Sequence, residues 1–196
     1  MENKMKVTGL DISITGTGYC IMDGDKGVKD CGVIKTSPKG FNSDVARFDQ
    51  ISTEVFSKMG DYGCDAVFIE NYAYAAPGNM TRIAELTGII KHDFYCTFGL
   101  EPGEKVFVVA PGTLKKYALG TGVGDKGLIL KYILTKWKVD IDENNTGDAY
   151  VLARMGVDFL RYVKDDSFTC EYKYEDECMK AMAKQNGIIV NKRKKT

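Results

Sequence analysis

The spacing of apolar positions changes along the chain, and each change marks an element. The stretch Val7-Thr8-Gly9-Leu10-Asp11-Ile12-Ser13-Ile14-Thr15-Gly16-Thr17-Gly18-Tyr19, resuming with Cys20, Ile21 and Met22, reads as a strand, a tight turn at Gly16–Gly18 and a second, antiparallel strand. Leu10, Ile12 and Ile14 share one side of the first strand, and Asp11 and Ser13 share the other. Asp23 to Gly27 is a turn, and Lys29 to Thr36 a third strand, which completes an antiparallel meander.

The period then lengthens. Val45, Phe48, Ile51, Val55, Phe56 and Met59 line one face of a helix capped by Asn42 or Ser43. Asp65 to Asn71 is a fourth strand, and residues 72–79 form a loop with Tyr72 and Tyr74. A helix over 80–98 follows, then a fifth strand, Val106 to Val109, and a short helix from Pro111 to Tyr117. After a glycine-rich connection, a helix runs from Lys126 to Trp137, and Asp148 opens another that continues to about Tyr162. This β-β-β-α-β-α-β-α-α-α order predicts an α/β domain: a mixed five-stranded sheet, three antiparallel strands then parallel ones, flanked by helices. The domain covers residues 1–164. Residues 165–196 form an extension with one helix, about Tyr174 to Gln185, and a basic tail.

The 196 residues are enough for one well-buried core. No apolar run is long enough for a membrane helix, and the first residues lack the apolar core of a secretory signal. The six cysteines form no Cys-x-x-Cys pair and His92 is the only histidine, which argues against a zinc site and for a reduced intracellular compartment. Net charge is zero, yet residues 101–138 carry a surplus of four positive charges and the last five residues another four, set against acidic segments. Such a distribution suits a protein that holds both cations and a polyanion, and equally one whose charge runs are solvated faces.

Three acids are isolated among apolar neighbours: Asp11 on the first strand, Glu70 at the end of the fourth, and Asp148 at the start of a helix. A carboxylate in the middle of a strand is costly to bury unless it is paired or bound to a cation. Taken alone, Asp11 reads equally well as an aspartate hydrogen-bonded to nearby hydroxyls. The first and fourth strands are natural neighbours in a mixed sheet, so Asp11 and Glu70 can converge, and a helix across the sheet can bring Asp148 to them. Clustered carboxylates repel, and a divalent oxygen-seeking cation, Mg²⁺ or Mn²⁺, resolves the repulsion.

The segments "GLDISITGTGYCIMD", "VFIENYAYA", "VVAPGTLKKYALGTGVGDK" and "NNTGDAYVLARMG" resemble, in their order and spacing over about residues 5–163, the RuvC family of Holliday junction resolvases, which has an RNase H-like fold. The resemblance implies a homodimeric Mg²⁺-dependent endonuclease that nicks four-way DNA junctions symmetrically, with two ions per site, in a bacterial or phage-infected cytoplasm. It makes Asp11, Glu70 and Asp148 the metal-binding acids. It sets Lys115 or Lys116, and Lys126, near the phosphate, with Lys126 counted among the catalytic groups. Tyr72 and Tyr74 flank the position where the family carries an aromatic, and are expected either to contact DNA or simply to pack. Where the family has a fourth ligand, this chain has Asn145, which can ligate through its carbonyl oxygen or cap the helix.

Other readings exist. Asp11 followed by Gly16-Thr17-Gly18 is similar to the phosphate loop of actin-like sugar kinases, but that fold needs two such domains. A nuclease acting on flaps and a catalytically silent junction-binding protein are further alternatives.

Overall fold

The computed structural model describes residues 5–24, 26–60, 62–71, 80–99, 105–124 and 126–190, except the side chain of Lys126. Five strands form one sheet: β1 (Lys6–Asp11), β2 (Gly16–Asp23), β3 (Gly27–Lys35), β4 (Ala66–Glu70) and β5 (Val106–Val109), in the order β3-β2-β1-β4-β5. β1, β2 and β3 are antiparallel, and β4 and β5 continue parallel to β1, as the sequence pattern predicts.

Strand alternation sends two sets of side chains to opposite faces. Leu10, Tyr19, Ile21, Val67 and Ile69 pack under α1 (Asp44–Gly60) and α2 (Met80–Phe98), with Phe48, Ile51, Leu86, Ile90 and Phe94. Val7, Cys20, Met22, Phe68, Phe107 and Val109 face the other way. They meet α3 (Pro111–Leu119), α4 (Lys126–Tyr132) and α5 (Asn144–Lys164). This second layer also buries Cys178, Met179, Met182 and Ala183 of α6 (Lys173–Gln185), so the helix after residue 164 shares the sheet's core.

Three details depart from the sequence reading. Gly16 and Gly18 lie inside β2, paired with Lys35 and Val33, and the β1–β2 connection is Ile12 to Thr15. The reason is packing: a Cβ on Gly18 would stand 2.0 Å from the Asn145 carbonyl oxygen, and one on Gly9 would stand 2.1 Å from that of Ala149. The glycines therefore let α5 lie directly on β1 and β2. Second, α5 begins at Asn144 with Glu143 as its N-cap, so Asp148 sits in the second turn and Asn145 is not the cap. Third, the helix that opens at Lys126 loosens into a π-helical turn at Ile133–Trp137, and Lys138 closes it in a left-handed conformation.

Candidate metal centre

β1 and β4 run parallel with Leu10 opposite Ile69, so the next residues, Asp11 and Glu70, end adjacent strands side by side. Both belong to the sheet face that α5 covers. Gly9 and Gly18 admit the helix backbone, which brings the buried Asp148 over that strand end. One carboxylate oxygen from each of Asp11, Glu70 and Asp148 lies within 4.8 Å of the other two. Asp11 and Glu70 are partly exposed and Asp148 is buried, so the cluster opens to solvent from the strand side. The donor set is all carboxylate oxygen, which suits a hard divalent cation such as Mg²⁺ or Mn²⁺ and not zinc or copper.

The surroundings hold this corner in place. Ser13 and Thr17 bracket the connection after Asp11, with the Thr17 hydroxyl donating to the Ser13 carbonyl at 2.6 Å. Arg47, almost fully buried, reaches up from α1 and donates to the carbonyls of Ile14 at 2.8 Å and Thr36 at 3.1 Å. Nothing in the apolar period of α1 marks Arg47 for this role; only the fold shows a buried guanidinium satisfied by loop carbonyls. On the other side of Glu70, β5 places Val109 opposite it, and the Asn71 amide donates to the Val109 carbonyl.

β5 is an edge strand, and its outer groups are taken up by the end of α6. The Asn186 side chain accepts from the Val108 amide at 2.8 Å and donates back to the Val108 carbonyl at 3.0 Å. Gln185 accepts from the Ala110 amide at 3.2 Å. A primary amide thus stands where the peptide group of a sixth strand would be, which closes an otherwise open edge.

Asn145 donates its side-chain amide to the Gly16 carbonyl at 2.6 Å, which ties α5 to β2 next to the acids. Lys115 is half-buried on α3, the helix that leaves the sheet directly after β5. Lys116 pairs with Glu177 of α6 at 2.6 Å. Lys126 opens α4, but its side chain lies outside the described residues, as do Tyr72 and Tyr74. The exposed His92 lies next to Asp93 on α2, away from the carboxylates in the fold.

A second polar feature, which the sequence reading missed, joins α6 to the π-helical turn. The Lys136 ammonium stands 4.9 Å from the Trp137 ring centroid, 5.3 to 5.6 Å from those of Tyr172, Tyr174 and Tyr117, and 2.7 Å from a Glu175 oxygen. Burial disfavours its charge, but Glu175 outweighs that and holds the ammonium above its ordinary pKa. Beside it, Tyr117 donates to Asp158; burial, with Asp158 adding to it, keeps the phenol protonated well beyond the usual range.

A mixed sheet in this order, with three acids gathered from β1, β4 and α5, defines an RNase H-like fold of the RuvC type. A structure of Thermus thermophilus RuvC is similar over 76% of this chain and 92% of its own, at 21% identity and a TM-score of 0.62. The T. thermophilus RuvC structure in complex with a Holliday junction substrate is similar over 76% and 90%, at 19% identity and a TM-score of 0.62. The yeast mitochondrial Holliday junction resolvase Ydc2 is similar over 93% and 77%, at 15% identity and a TM-score of 0.52. No family model matches the chain, and no curated protein is similar to it in sequence.

Proposed function

We propose that this chain is a metal-dependent endonuclease of the Holliday junction resolvase kind, cutting branched DNA as a homodimer and leaving 5′-phosphates. The observation that carries this reading is the set of three carboxylates within 4.8 Å, drawn from β1, β4 and α5, on a RuvC-type fold. The junction-bound T. thermophilus RuvC structure supports branched DNA as the substrate. Asp11, Glu70 and Asp148 would hold the metal, with the side-chain oxygen of Asn145, whose amide nitrogen donates to the Gly16 carbonyl, as a neutral fourth donor. Mg²⁺ held there, two ions per site, would supply the activation of a water and the stabilisation of the departing 3′ oxygen.

The remaining work belongs to the chain's own groups. Asp11 and Glu70 would hold the metal from adjacent parallel strands, whose register fixes their spacing. Asp148, buried on α5, completes the acidic set from the helix side. Lys115 and Lys126 offset the charge of the phosphate. Lys116, paired with Glu177, instead braces α3, and binds DNA only by exchanging that partner. Tyr72 and Tyr74, in the segment after Glu70, meet the DNA at the branch.

Two copies pair through α1 and α2, where Val45, Phe48, Glu85, Gly88, Ile89 and His92 line an open, mainly apolar groove of about 530 Å³ and Val45 is 67% exposed. Such pairing would present two sites to a two-fold junction. The test is cleavage of synthetic four-way junctions, flaps and linear duplex with Mg²⁺, comparing the wild type with Asp11→Asn. The expected result is paired nicks in the junction, abolished by the substitution and by chelation. Equal cutting by the variant sinks the site assignment. A preference for flaps keeps the nuclease and removes the resolvase, and a monomeric mass at high concentration removes paired nicking.

A further inference from the structure

Of the large apolar side chains left exposed among the described residues, half fall in one short stretch: Val123, Leu128, Tyr132 and Leu134. The same stretch lies in the positively charged part of the sequence, and no acidic residue occurs from Lys126 to Val139. Leu128 and Tyr132 are four residues apart on α4 and share its outer face, with the exposed Lys131 between them and Lys138 just beyond. The inner face is fixed. Ile129 and Ile133 are buried, and Leu130 packs against Gly147, the residue before Asp148, where a Cβ would stand only 2.6 Å from it. The outer face is therefore held rigidly on the helix that carries one of the site's acids.

An ordinary solvated helix face would place polar residues at 128, 132 and 134. A face that is apolar, aromatic and cationic at once matches a polyanion with flat apolar surfaces, which describes DNA whose bases have lost a stacking partner. Pairing of this face with a second copy is disfavoured, because the stretch from Lys126 to Val139 holds no acid to offset the lysines that both copies would bring. We infer that the outer face of α4 is a contact surface for the branch of the DNA, with Tyr132 and Leu128 against unstacked base faces and Lys131 against a phosphate. The inference rests on the branched-DNA reading above and adds to it a surface outside the carboxylate cluster.

The test uses the full chain carrying Asp11→Asn, so that nothing is cut. Binding is measured to a four-way junction with 2-aminopurine at the branch and to linear duplex of the same sequence, over a range of salt concentrations. Tyr132→Ala is expected to weaken junction binding on the order of tenfold, to lose the 2-aminopurine quenching and to leave duplex binding unchanged. Tyr132→Phe should retain the parental values. Lys131→Ala should weaken both substrates and lower the slope of log affinity against log salt by about one. Parental junction affinity in both Tyr132→Ala and Leu128→Ala, or an equal loss on duplex, overturns the inference. If the parent binds neither junction nor duplex, the branched-DNA reading falls and the inference with it.

Discussion

Replacing Gly18 by alanine tests how the site is built. The added Cβ would stand 2.0 Å from the Asn145 carbonyl oxygen and 2.5 Å from its carbonyl carbon, both backbone atoms. Real Cβ contacts essentially never fall below 3.0 Å, so β2 and the first turn of α5 must separate by about 1 Å. Neither side can swing away as a flexible side chain would. The cost should therefore lie near the top of the overpacking range, about 3 kcal/mol. For a domain of this size that is about 10 °C in Tm. The same displacement carries Asp148 away from Asp11 and Glu70, because Asp148 is one turn further along the same helix. A misplacement of about 1 Å at a reacting centre costs roughly a hundredfold in rate.

The assays are thermal unfolding, Mn²⁺ binding by calorimetry and junction cleavage, with Gly60→Ala as control. Gly60 ends α1, nothing lies within 4 Å of its Cβ position, and its variant should melt within about 2 °C of the wild type. A Gly18→Ala protein that melts and binds Mn²⁺ like the wild type would refute the close-approach argument. A protein that loses stability but keeps full metal affinity would show that the helix end and the acids are not mechanically linked.

Other expectations follow from the same structure. Asn186→Ala removes the acceptor and donor facing Val108 and should cost about 1–2 kcal/mol, since water reaches the half-buried edge and replaces part of the loss. Hydrogen exchange should speed up at the Val108 amide, and unchanged exchange there would discard the edge-closing role. Stability should also fall in alkali. Burial raises Cys64 to about 11, Cys178 to about 12 and Tyr19 to about 12, the last with Asp30 adding to it. The folded chain keeps these protons while the unfolded chain loses them, so stability is full below about pH 8.5 and declines through pH 12. A Tm unchanged between pH 8 and 11 would contradict this, and Cys64→Ser should make the decline shallower.

Much of the fold is legible in the sequence because its elements differ in period. The two-residue alternation of β1 and the 3.6-residue stripe of α2 are local properties, and α2 occupies the expected 80–98. The acids are legible for a related reason: Asp11, Glu70 and Asp148 interrupt apolar runs, and a carboxylate there needs a partner. Local pattern also misled. Gly16 and Gly18 look like turn residues, and only the approach of α5 shows them to be strand positions cleared of side chains. Asn145 looks like a cap, yet it lies inside the helix and hydrogen-bonds the Gly16 carbonyl, 129 positions away.

The sequence by itself therefore determines which segments are strand or helix and which acids are out of place, because these depend on neighbours within a few residues. Only the tertiary structure decides what those residues meet. It brings the three carboxylates within 4.8 Å of one another, closes the β5 edge with Asn186 and encloses Lys136 between aromatic rings. These are contacts between distant segments, set by sheet order and helix approach, and no local period encodes them.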